Sequence, residues 1–212
     1  MSYFHKYKSF EFQTIILMKD NFNDNSIDNN LWTLTNPNSL ISEVNNRIEI
    51  SNPHTGSIAN FSNKLESVKT ISSGQAVGSC FLDWTVPNTS ESAGGIILWV
   101  DNNNYISITS RSTNGQFRIL LRQAGVLVYD LSSDISKGTN IKITYDISTF
   151  LIKLYYWSNG WVQMGTTQTY NIGNNVKIVL STSDEATFTG ANIIQIDDLF
   201  FTNKEFTTQY PR

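Results

Sequence analysis

Apolar residues in this chain recur at every second position, and that period constrains the fold more than any single motif does. Ile41, Val44, Ile48 and Ile50 flank an Asn45-Asn46 turn; Ile106 and Ile108, then Phe117, Ile119 and Leu121, alternate with polar residues across Thr113-Asn114-Gly115. Successive side chains of a strand point to opposite faces, so a period of two marks a half-buried β-strand. The same beat returns at Val126, Val128 and Asp130, at Ile141, Ile143 and Tyr145, at Ile152, Leu154 and Tyr156, and at Val176, Ile178 and Leu180. Turn signals separate these runs by about 8–12 residues, the spacing of an antiparallel sandwich. No segment carries the i, i+3, i+4, i+7 stripe of a helix, so helix is expected to be close to absent. Gly94-Gly95, opening the run to Val100, suits a central strand buried on both faces, where another backbone comes close.

Composition narrows the reading. A chain of 212 residues, 40% hydrophobic and only 16% charged, can bury one sizeable core without staples. About two dozen asparagines fall where strands would turn. A net charge of −3 with no cluster of Lys or Arg offers nothing to nucleic acid or an anionic membrane, so neither is expected as a partner. The one cysteine, Cys80, excludes an internal disulfide and reads as a small buried hydrophobe in a strand from Ala76 to Leu82. No run approaches the ~20 apolar residues of a membrane span. The N-terminus lacks the apolar stretch of a secretory signal, so the expected location is a virion if a phage encodes the chain, and otherwise the cytoplasm. Residues 1–18 form a separate N-terminal arm or extra strand ahead of a single domain at 19–212. Their Phe4, Tyr7, Phe10, Phe12, Ile15 and Leu17 carry more apolar surface than a free tail should expose. That arm either packs on its own domain or docks on another copy or another virion protein by strand addition.

Five segments carry a resemblance. They are Asp20-Asn21-Phe22-Asn23-Asp24 through Trp32, Glu43 to Ile50, the hairpin Gly95 to Ile108, Tyr155 to Trp161, and Ile194-Gln195-Ile196-Asp197-Asp198-Leu199-Phe200-Phe201. In order and separation, across residues 19–202, they resemble the concanavalin A-like (laminin G-like) jelly rolls. The resemblance implies an all-β antiparallel sandwich with its first and last strands adjacent, one sheet curved, and a ligand region on the concave face or its rim. It does not by itself imply chemistry.

The enzymes of this group resemble one another in a Glu-x-Asp-x-Glu strand, which places carboxyl groups on one face. No such triplet is present. Asp20, Asp24 and Asp28 are spaced by four, as are Asp130 and Asp134, and all of them read as solvated turn residues. With only His5 and His54, no nucleophile–base pair or His-rich metal site can be assembled. The resemblance also implies a structural calcium ion holding the terminal strands, with Asp24 or Asp28 and Asp197 or Asp198 as the candidate ligands. Plain turn capping by Asp and Asn is the competing reading.

Aromatic faces stack on pyranose rings while Asn and Asp bond their hydroxyls, so tryptophans and polar turns mark candidate sugar sites. Trp32, Trp84 and Trp99 fall in apolar strands and are expected in the core. Trp157 and Trp161, flanking Ser158-Asn159-Gly160, form one candidate rim, against a plain hairpin clamp. Asp101, Asn102, Asn103 and Tyr105, with Asn104, form the other, against a solvated turn. The expected function is therefore non-catalytic: a module recognising a glycan or glycoconjugate surface. A virion structural or decoration protein is the second reading and a degenerate glycosidase or lyase the third.

Overall fold

The computed structural model describes residues 16–52, 61–85, 92–111, 116–182 and 192–205, and among these every regular element is a strand. In chain order they are β1 (Ile16–Asp20), β2 (Trp32–Thr35), β3 (Ile41–Val44), β4 (Arg47–Asn52), β5 (Lys64–Ser67), β6 (Gln75–Trp84), β7 (Ser92–Asp101), β8 (Asn104–Arg111), β9 (Gln116–Gln123), β10 (Val126–Ser136), β11 (Thr139–Asp146), β12 (Leu151–Trp157), β13 (Trp161–Thr169), β14 (Lys177–Thr182) and β15 (Asn192–Thr202). They form an eight-stranded sheet, ordered β13-β12-β11-β6-β15-β4-β3 with β1 also on β15, and a seven-stranded sheet, ordered β10-β9-β8-β7-β14-β5-β2. All pairings are antiparallel. This is the expected sandwich, and β1 lies beside β15 as the resemblance implies. Ile16 to Met18, the end of the expected arm, belong to β1, and Met18 is buried. Residues 1–15, the turn Thr113-Asn114-Gly115, His5 and His54 lie outside the described residues.

Strand alternation builds the core. Ile96 and Leu98 of β7 face inward against Ile106, Ile108, Ile178 and Leu180, and from the other sheet come Cys80, Leu82, Ile141, Ile143, Ile194 and Ile196. Cys80 is buried as expected, and burial pushes its thiol well up. Trp32 and Trp84 are buried too, Trp84 edge-on to Phe117 at 5.3 Å. Trp99 is a correction: it follows Leu98, so it stands on the outer face of the seven-stranded sheet, half-buried rather than in the core. A second correction concerns Asp130 and Asp134. They lie within the long edge strand β10, which bulges between Ser132 and Ser136, and not in a turn.

Two local features explain why these residues were chosen. Asn45 and Asn46 both take positive φ (55° and 59°), the type I′ geometry that joins β3 to β4 in two residues. In the loop from β1 to β2, Asp20 Oδ1 accepts the Phe22 N–H at 3.0 Å while Oδ2 accepts the Trp32 indole N–H at 2.7 Å. The Phe22 and Trp32 rings lie 6.1 Å apart, both buried, so this one carboxylate fixes the crossing from one sheet to the other.

Candidate functional site

On the outer face of the seven-stranded sheet stand the carboxylates Glu66 and Asp130, and each is paired with a cation. Glu66 on β5 receives the ammonium groups of Lys64, at 2.7 Å, and of Lys177; burial alone would raise its carboxyl, but these bonds hold it below the usual value. Asp130 on β10 accepts both Nε and Nη2 of Arg118, at 3.1 and 2.8 Å. Strands β5 and β10 are separated by β14, β7, β8 and β9. At the ordinary inter-strand spacing that places them ~24 Å apart, whereas a glycosidase needs two carboxyls within ~10 Å of each other.

Asp101, Asn102 and Asn103 are exposed at the tip of the β7–β8 hairpin. The Asp101 carboxylate is spent on its own turn, accepting from Asn103 N at 2.8 Å and from the Asn104 amide at 2.9 Å. The turn also supports its neighbour, for Asn103 O accepts from Gly125 N and Asn104 Oδ1 from Ala124 N. Tyr105 is not a rim residue. It opposes Trp99 in the ladder, is 1% exposed, and is closed in by Phe61, edge-on at 5.0 Å, with Ile97 and Val179.

Trp157 and Trp161 oppose each other across the β12–β13 hairpin, on the outer face of the eight-stranded sheet. They are half-buried, with ring centroids 5.3 Å apart at 82°. This geometry clamps the hairpin and also presents two rings at right angles. The structure does not bring the two candidate rims together. Trp157 O accepts from Thr139 and Gly138 N bonds Leu82 O, which sets this hairpin at the Trp84 end of β6. Val100 and Gly173 instead lie at the Gln75 end, where Tyr145 bonds Gly173 O and Asp146 opposes Gln75.

The alternation of β11 and β12 adds residues that the sequence reading overlooked. Since Ile141 and Ile143 face inward, Lys142 faces outward, opposite Tyr155. Its Nζ lies 4.4 Å from the Tyr155 ring centroid and 4.5 Å from that of Trp161, and 3.3 Å from Glu205 Oε1. Burial lowers the Lys142 ammonium, with Glu205 opposing that shift; burial and then the Glu205 charge push the Tyr155 phenol up to about 12. Tyr155 shares a face with Trp157 by simple i, i+2 spacing, a signal available in the sequence. The approach of Glu205, 63 residues from Lys142, was not.

The carboxylates suggested for calcium each cap their own turn or strand end. Asp24 Oδ1 accepts from Ser26 N, Asp28 Oδ1 from Asn30 N and Nδ2, and Asp197 Oδ1 from Asp198 N. Among the described residues no group of three or more His, Cys, Asp or Glu side chains is placed to hold a metal ion. If turn capping is their whole role, chelation with EDTA is expected to leave the melting temperature unchanged within a degree, measured by circular dichroism; a fall of several degrees would assign them the ion.

An open cleft of about 440 Å³ separates the edge strands β10 and β13, lined by Leu131, Ser133, Asp134, Tyr156, Val162 and Gln163 among others.

No protein-family model matches the chain, and no curated protein sequence matches it. Solved structures do. The GH43 BlXynB protein of Bacillus licheniformis aligns with 88% of this chain at a TM-score of 0.67 and 12% identity, and the chain spans only 39% of its length. A β-glucanase of Bacillus licheniformis aligns with 89% of this chain and 98% of its own, with a TM-score of 0.63 and 12% identity. A protein from a study of endo-acting O-glycanases of the human gut microbiota aligns with 90% of this chain and all of its own, with a TM-score of 0.61 and 10% identity. Likeness at these identities is a likeness of fold, the jelly-roll sandwich.

Proposed function

We propose that this chain is a non-catalytic glycan-binding module whose binding surface is the aromatic patch of Tyr155, Trp157 and Trp161. One observation carries the reading: two half-buried indoles, mutually braced at 5.3 Å, stand on a sheet face beside the exposed amide of Gln163. A braced ring loses little freedom when a sugar stacks on it, and an amide can bond a hydroxyl in either direction. The shared fold of structures described as a β-glucanase and as O-glycanases supports a carbohydrate ligand. The lack of a Glu-x-Asp-x-Glu strand in the sequence supports binding without hydrolysis.

The test is a glycan array read with the wild-type chain and with Trp157→Ala and Trp161→Phe, each checked for an unchanged circular dichroism spectrum. Trp157→Ala is expected to reduce binding of the retained sugar at least tenfold, and Trp161→Phe, which keeps a ring, much less. Retention of no sugar by the wild type would overturn the reading.

A further inference from the structure

The Lys142 ammonium is an anomaly on the outer face of a sheet. Its side chain is only 1% exposed, although Lys is almost never fully buried without a partner. A buried ion pair is weak support for a fold, since desolvation offsets much of the attraction. Stability alone therefore gives little reason for this arrangement. What has been built is a receptor for a carboxylate. Lys142 Nζ, over the Tyr155 ring, reaches the Glu205 carboxylate at 3.3 Å, and the Glu205 N–H donates to Gln75 Oε1 at 3.0 Å. The Trp161 ring flanks the ammonium, and Trp157 lies against Trp161. Glu205 comes from just beyond the end of β15, where the chain turns back with Thr202 Oγ1 bonded to Lys204 O. The occupant is thus a residue of the chain itself, tethered beside the receptor and not part of either sheet.

We propose that the cluster of Lys142, Tyr155 and the two indoles is a binding site for a carboxylated sugar, a hexuronate or a sialate, and that Glu205 occupies the carboxylate position until such a sugar displaces it. The inference rests on the glycan-binding reading and names its ligand class: the sugar ring stacks on the indoles while its carboxylate takes the contacts Glu205 now makes. A tethered competitor acts at an effective concentration of about millimolar, so removing its charge unmasks affinity without creating a new contact.

The experiment titrates trigalacturonate, 3′-sialyllactose and neutral trigalactose into the wild type, Glu205→Gln and Glu205→Gln/Lys142→Met, following tryptophan fluorescence. An unchanged circular dichroism spectrum and a cooperative melting transition above the assay temperature serve as the folding control, and methionine keeps an apolar chain between the rings. Glu205→Gln is expected to bind one of the two acidic sugars at least tenfold more tightly than the wild type, and the double variant to lose that gain. The arm that responds identifies hexuronate or sialate. No gain in folded Glu205→Gln, an equal gain for the neutral sugar, or a gain that survives Lys142→Met would each overturn the proposal. A neutral sugar retained on the array and lost with Trp157→Ala would leave the broader glycan reading standing, so the two failures are distinguishable.

Discussion

Gly95→Ala is expected to cost about 3 kcal/mol of stability, a penalty at the upper end for overpacking a well-filled site. A Cβ at this position would lie 2.1 Å from the Ile108 carbonyl oxygen and 2.9 Å from the Thr109 Cα. Both are backbone atoms of β8, so no rotamer change relieves the clash. Nor can β7 shift, because it is hydrogen-bonded on its other side to β14, with Gly95 opposite Ser181 and Ile96 opposite Leu180. The ladder between β7 and β8 already changes register between Ser92 and Gly95. Urea denaturation followed by tryptophan fluorescence measures the loss. A cost below 1 kcal/mol would mean that β8 yields and that the close approach is not structural.

That glycine shows what the sequence can reveal. A Gly-Gly pair opening an apolar run signals a close backbone approach because no other residue leaves room for one. In the same way Asn45-Asn46 announces a tight hairpin, because asparagine tolerates positive φ. Alternation gives the two layers, and the acidic-Phe…Trp segment gives the crossing between them, where Asp20 holds the Trp32 indole. The site was less legible, for a physical reason. Alternation says that a residue faces in or out, but not what lies over an outward face. Trp99 and Tyr105 both face outward, yet Phe61, from a distant part of the chain, closes over Tyr105 and leaves Trp99 half-covered. Nothing in the sequence around Lys142 marks it out, because Glu205, which pairs with it, lies 63 residues away. Asp130 sat within an alternating run, but its spacing to Asp134 suggested a turn, whereas a bulge lets a strand absorb both.

The same limit applies to Glu43, whose register has a consequence for pH. Glu43 opposes Ile48 in the β3–β4 ladder and so faces inward, beneath the loop from β1 to β2. It is 6% exposed, and its Oε1 has no hydrogen-bond partner. Burial first, then the hydrogen bond with the Asp24 carboxyl and the charges of Asp20 and Asp24, push the Glu43 carboxyl up to about 7, against a single opposing bond from Ser26. A carboxyl whose pKa is raised by folding favours the native state while it is protonated. Its contribution is intact below the ordinary value of 4.5 and is lost as the pH climbs through 7. The whole gap corresponds to about 3 kcal/mol. Glu66 and Asp146 have lowered carboxyl pKa values, so they stay ionised between pH 5 and 8 and do not obscure the effect. The wild type is therefore expected to lose stability from pH 5 to pH 8, and Glu43→Gln, which carries no charge to bury, to be more stable than the wild type by about 2 kcal/mol at pH 8 and nearly equal to it at pH 5. Urea denaturation at the two pH values checks this. A variant that loses as much as the wild type over that interval would place the titrating group elsewhere.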